Sequence, residues 1–113
     1  MIHMENITYI HVPDFNDSFS RIVLARRAYL IRFTYNSLID RWRFGLYSVK
    51  REPIAVGLPI VPHFILNLQV VNSDFPAGAF AAFSGSEHIR RNDFKENKAA
   101  FAFIQEAARN AQL

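Results

Sequence analysis

The sequence predicts an all-β domain, a small antiparallel barrel or sandwich, and three observations carry that reading. Apolar and polar residues alternate with period two through most of the chain, as strands with one buried face require. Proline and glycine break the alternation at short intervals, at Pro13, Pro53, Gly57, Pro59, Pro62, Pro76, Gly78 and Gly85, the punctuation of short strands joined by turns. With 113 residues, half of them hydrophobic, and no cysteine, the chain has the size of one domain over 1–113. Its core needs neither disulfides nor sulfur-bound zinc.

The elements follow in order. Ile7 to His11 is a short strand closed by Pro13-Asp14. From Phe19, one face carries Phe19, Arg21 and Val23 and the other Ser20, Ile22 and Leu24, up to a turn at Ala25-Arg26-Arg27-Ala28. A longer strand sets Tyr29, Ile31, Phe33 and Tyr35 against Leu30, Arg32 and Thr34. After a polar break at 36–40, Trp42, Phe44 and Leu46 face one way and Arg41, Arg43, Gly45 and Tyr47 the other. These three strands read as an antiparallel meander whose arginines share one face. Pro59 cannot donate a ladder hydrogen bond, so Ile54 to Pro62 is an edge strand or a bulged one, bent at Gly57. Phe64, Leu66, Leu68 and Val70 alternate again, Asn72-Ser73-Asp74 turns, and Pro76-Ala77-Gly78 leads into Ala79 to Phe83. The C-terminus carries two patterns. Lys95 to Ala111, behind a capping Asn92 or Asp93, has helical composition, whereas Ala99, Phe101 and Phe103 alternate as in a closing strand. We take strand to about Ile104 and a short C-terminal helix or frayed tail beyond it.

Charge is unevenly spread. Residues 21–51 hold eight basic residues against Asp40 alone, a net +7, leaving −4 for the rest of a chain whose total is +3. Ten of the thirteen basic residues are arginine, the cation suited to carboxylate, phosphate and aromatic partners and enriched in protein interfaces. Arg41-Trp42-Arg43-Phe44 is also a pattern that a nucleic-acid-binding module could use. The plainer reading puts the arginines on the outer face of a ribbon, in water or against an acidic neighbour. Eleven phenylalanines are many for a core this small. Phe33 and Phe44 lie on strand faces expected to be core; Phe64, Phe75 and Phe80 lie in the irregular half, where a neighbour could dock.

Catalytic patterns are absent. His3, His11, His63 and His88 show no metal-binding spacing, no serine sits in a nucleophile elbow, and four glycines cannot supply a phosphate loop. Asp14 and Asp17 flank a turn and read as local backbone caps. The expectation is no enzyme, no catalytic residue, no cofactor and no metal. No apolar run nears the roughly 18 residues of a membrane span, and Met1 to Glu5 lacks the order of a signal peptide.

The order of motifs resembles that of small baseplate plug proteins of contractile-tailed bacteriophages. Asp17-Ser18-Phe19 opens the first hairpin, and Tyr29-Leu30-Ile31-Arg32-Phe33-Thr34-Tyr35 forms its second strand. Arg41-Trp42-Arg43-Phe44-Gly45-Leu46-Tyr47 follows, then Gly57-Leu58-Pro59-Ile60-Val61-Pro62, Leu66 and Pro76-Ala77-Gly78-Ala79-Phe80. The likeness covers roughly residues 15 to 104, and order and spacing carry it. The chain departs from the family at Ala25-Arg26-Arg27-Ala28, where an Asp-Gly turn is commoner, at Phe75-Pro76 in place of Leu-Pro, and in its Ala-rich tail. The resemblance implies a virion component at the central hub of the tail baseplate, made in the host cytoplasm. Its partners would be hub, tail tube and spike proteins, with further copies around the tail axis. Neither nucleic acid nor membrane is an expected partner. Candidate interface residues are Arg32, Arg41, Arg43, Gly57, Pro59, Pro62, Phe64, Phe75 and Phe80. The alternative is a small β-barrel nucleic-acid-binding module using Trp42, Phe44 and the arginine ribbon.

Overall fold

The structure, a computed structural model, describes residues 7–67 and 74–106. Eight strands occur in chain order: β1 (Ile7–Ile10), β2 (Asp17–Leu24), β3 (Arg27–Asn36), β4 (Arg41–Tyr47), β5 (Pro53–Pro59), β6 (Ile65–Leu66), β7 (Gly78–Ser84) and β8 (Ala99–Gln105). They form two four-stranded sheets, ordered β2-β3-β4-β5 and β1-β8-β7-β6, with every pairing antiparallel. The result is a sandwich rather than a closed barrel.

The meander forms as its alternation dictates. Phe33 lies opposite Phe44 and Ile31 opposite Leu46, so one register turns Tyr29, Ile31, Phe33, Trp42, Phe44 and Leu46 inward together, all buried. The β2–β3 turn is tighter than the sequence suggests. Leu24 pairs with Arg27, and only Ala25 and Arg26 lie between, at φ 50° and 67°. Two left-handed residues make the type I′ geometry that matches strand twist. Without an Asn-Gly pair, that geometry carries backbone strain.

β5 is the bulged edge strand that Pro59 and Gly57 foretell. Between the pairs Phe44–Leu58 and Leu46–Ala55, β5 advances three residues against two in β4. Between Leu46–Ala55 and Tyr47–Pro53 it gains another. Gly57 sits at φ +68°, and a β-carbon placed there would meet nothing within 4 Å, so conformation rather than space demands glycine. Past Pro59 the chain changes sheets. The Ile60 amide still donates to the Trp42 carbonyl (3.2 Å), while the His63 amide donates to the Ala82 carbonyl (2.9 Å) on β7.

Of the alternation at 64–70, only Ile65 and Leu66 are strand; Leu68, Val70, Asn72 and Ser73 lie outside the described residues. Of the two C-terminal patterns, the strand is the one that forms. Residues 91–97 are turns, and Ala99–Gln105 is strand, because pairing with β7 and β1 on both sides outweighs the helix propensity of alanine. Asp93 shapes the loop instead of capping a helix. Its carboxylate accepts the Arg90 amide (2.8 Å), and its carbonyl accepts those of Lys98 (2.8 Å) and Ala99 (3.2 Å). The tail at 107–113 lies outside the described residues.

Aromatic rings join the sheets. Phe44 meets Phe80 at 4.9 Å and Phe101 at 5.0 Å between centroids, and Phe33 meets Phe101 edge-on at 5.6 Å. Phe75 and Phe80, expected at the surface, are only 5% and 3% exposed and belong to this cluster. Strand β7 turns Phe80 inward against Phe103 across the ladder, so the irregular half supplies core rings as well as surface ones.

Candidate interaction surface

Alternation that sends rings inward sends arginines out. The outer face of β2-β3-β4 presents Arg21, Arg32, Arg41 and Arg43, with Thr34 opposite Arg43 and Gly45 opposite Arg32. Arg32 is held in place. Its Nε and Nη2 donate to the two carboxylate oxygens of Asp17 at 2.8 and 2.6 Å, which lowers the Asp17 pKa and raises that of Arg32. The Arg32 and Arg51 guanidinium groups both lie over the Phe19 ring, 5.6 and 5.1 Å from its centroid, and the Tyr47 ring is 4.9 Å away. Arg43 is exposed, with no ion pair or hydrogen bond among the described residues. The surface is cationic, aromatic and partly ordered in advance.

At one end of the sandwich, the β3–β4 turn meets the β7–β8 loop. Tyr35 Oη donates to Asp40 Oδ1, and His88 Nε2 lies 2.9 Å from Asp40 Oδ2. The Tyr35 hydrogen bond first, then that of His88, lowers the Asp40 pKa; the same bond raises the Tyr35 pKa. Arg41 Nη1 approaches His88 Nδ1 at 2.6 Å, which joins one predicted interface residue to this network. Beside it lies an open cleft of about 860 Å³, lined by Ser37, Asp40, Ser86, Arg90 and Lys98 among others. Residues 40 and 88 are 48 apart in sequence, and nothing local predicts their meeting. Asp14 and Asp17 are not backbone caps. Asp14 pairs with Arg91 (2.9 Å) and Lys95 (3.4 Å), tying the β1–β2 connection to the β7–β8 loop, and Arg91 first lowers its pKa. Among the described residues no group of three His, Asp or Glu side chains is placed to hold a metal ion.

The other candidates scatter. Gly57 and Pro59 are exposed on the β5 edge. Pro62 is half-buried and bridges to Ala82 on the second sheet, and Phe64 is 59% exposed nearby. The structure therefore brings Arg32, Arg41 and Arg43 onto one face and leaves the β5 edge and Phe64 apart from them. Trp42 and Phe44 are each 2% exposed. Trp42 packs against Tyr35 (5.2 Å) and Phe94 (5.7 Å) and donates its Nε1–H to the Arg90 carbonyl (3.3 Å). Neither ring is available to stack on a base.

No curated protein matches the chain. A family model described as "Cyanophage baseplate Pam3 plug gp18" matches residues 7–106, a span that takes in all eight strands and both faces of the sandwich. The chain belongs to this family of phage baseplate plug proteins.

Proposed function

We propose that this protein is a non-catalytic structural component of a contractile tail baseplate, seated at the central hub where tube, hub and spike meet, and that it acts in tail assembly through protein contacts. The observation that carries the reading is the family match over residues 7–106. The arginine face supplies a physical means of docking: Arg43, Arg41 and the pre-positioned Arg32 suit an acidic rim on a tube or hub ring. Copies would stand around the tail axis, with the β5 edge and Phe64 turned to further neighbours, after synthesis in the host cytoplasm.

The test is assembly. Tails purified from phage lacking this gene should lack complete baseplates. The double charge reversal Arg41→Glu/Arg43→Glu should leave a folded protein that no longer co-purifies with tail particles. Either side chain is exposed, so each change should alter folding stability by under about 1 kcal/mol. Infectious tails assembled without the protein would sink the proposal.

A further inference from the structure

The four sheet edges are unequal. β6 has two residues and, among the described residues, β1 has four. β5 begins and ends in proline and carries two extra residues that break its register. Features of this kind block the addition of another strand. β2 has none of them. Its eight residues pair with β3 in unbroken register, without proline, glycine or lysine.

The hairpin fixes which backbone groups of β2 are free. In a two-residue hairpin the pair flanking the turn, here Leu24 and Arg27, is hydrogen-bonded, and bonded and unbonded pairs then alternate. One step beyond the strand, the Asn16 carbonyl accepts the Tyr35 amide at 2.8 Å, in the same parity. The N–H and C=O groups of Asp17, Phe19, Arg21 and Val23 therefore point away from β3, into open space. Their side chains share the outer face. Phe19 and Val23 are 39% and 54% exposed, and Arg21 is exposed with no hydrogen bond or ion pair among the described residues.

We propose that a second copy of this chain occupies this edge, β2 against β2, antiparallel about a two-fold axis at Phe19. In that register Phe19 faces Phe19, and Asp17 faces Arg21 at both ends. Val23 reaches past the strand toward the bend at 14–16, whose Phe15 is 65% exposed. The outward positions Asp17, Phe19 and Arg21 each gain a complementary neighbour. The alternatives are worse: an axis at Arg21 or Asp17 opposes like charges, and one at Ser20 sets Asp17 against Val23. Asp17 already binds Arg32, yet 54% of its side chain stays exposed, so the partner's arginine adds to that pair without displacing it. Backbone hydrogen bonds supply the attraction and the side chains fix the register. The pair is the form of the free protein in solution. The pairing is tested on the purified chain alone, so it stands or falls separately from the baseplate reading.

Because the chain has no cysteine, single-cysteine variants report cleanly. Sedimentation or light scattering should give twice the 13.0 kDa chain mass over a concentration series. Phe19→Cys should oxidise to a disulfide-linked dimer, since bonded antiparallel partners sit about 5.5 Å apart at Cα. Val56→Cys on the opposite edge should not. Arg21→Pro, which removes an outward N–H and no β3 bond, should raise the dimer dissociation constant roughly tenfold or more. Should circular dichroism show that variant unfolded, Arg21→Asp, which sets two carboxylates against each other at both ends, should weaken the dimer by a similar factor. A monomer at every concentration overturns the proposal, as does a dimer cross-linked by Val56→Cys and not by Phe19→Cys.

Discussion

Replacing Trp42 by alanine tests the division between rings inside and arginines outside. The side chain is 2% exposed. Burying an indole removes about 200 Å² from water, worth about 5 kcal/mol at 25 cal/mol per Å². The unfolded chain already hides part of that area, so the expected loss is about 3–5 kcal/mol. The Arg90 carbonyl also loses its donor, 3.3 Å away, at a cost of about 1 kcal/mol, and the Arg91 guanidinium loses the ring face it covers at 5.3 Å. Thermal unfolding followed by far-ultraviolet circular dichroism is the suitable assay, because the variant lacks the chain's single tryptophan. The melting midpoint should fall by more than about 10 °C, at 4–8 °C per kcal/mol for a domain near this size. Trp42→Phe, which keeps an aromatic ring beside Tyr35 and Phe94 but loses the N–H and part of the buried ring, should cost less, about 1–2 kcal/mol. An alanine variant as stable as the parent would refute the inward placement and return the ring to a binding surface.

Three further outcomes follow from the backbone and the ion pairs. Replacing Ala25-Arg26 by Asn-Gly should stabilise the hairpin by about 1–2 kcal/mol, because both positions adopt positive φ; an unchanged denaturation midpoint would contradict the type I′ assignment. Gly57→Ala should cost about 1–2 kcal/mol through conformation alone, since the added methyl meets nothing within 4 Å; equal stability would contradict the left-handed geometry. Asp14, Asp17 and Asp40 are all held below the ordinary aspartate value of 3.8 by Arg91, Arg32 and Tyr35 respectively. Their contribution is fully present above that value and is lost as pH falls through their lowered folded values. Acid unfolding should therefore set in below about pH 4, and Asp17→Asn should flatten that limb; a stability profile unchanged by the substitution would remove Asp17 from the account.

The meander was legible because its information is local. Period-two alternation from Phe19 to Tyr47 sets which side chains turn inward, and the register Phe33–Phe44 agrees with it. Pro59 and Gly57 likewise mark the bulged edge by what their backbones cannot do. Sequence reasoning failed where the decisive partner is distant. Phe75 and Phe80 look like surface rings because their neighbours are irregular, and only the stacking of one sheet on the other buries them. At 99–105, by contrast, the strand alternation was the right guide despite a helix-forming composition, because β7 on one side and β1 on the other claim those backbone groups. Asp14 resembles a cap until the β7–β8 loop brings Arg91 to it, 77 residues away. The network of Asp40, His88 and Arg41 left no sequence signal for the same reason.

Arginine interleaved with aromatic residues has opposite meanings in a loop and in a strand. In a loop, neighbouring side chains can converge on one ligand, so rings stack while cations meet phosphate. In a strand, successive side chains leave opposite faces. Arg41-Trp42-Arg43-Phe44 thus cannot present cation and ring to the same partner: Trp42 and Phe44 enter the core, and the arginines remain outside. The aromatic on the cationic face comes from another strand, where the Phe19 ring meets the guanidinium groups of Arg32 and Arg51. Asp17 holds Arg32 in two hydrogen bonds, so docking that arginine costs less side-chain entropy than docking a free one. An arginine fixed beside an exposed ring, with a floor of Thr34 and Gly45, suits a flat acidic protein surface better than a flexible strand of nucleic acid. That is the physical ground for reading the +7 segment as a contact between proteins in a baseplate.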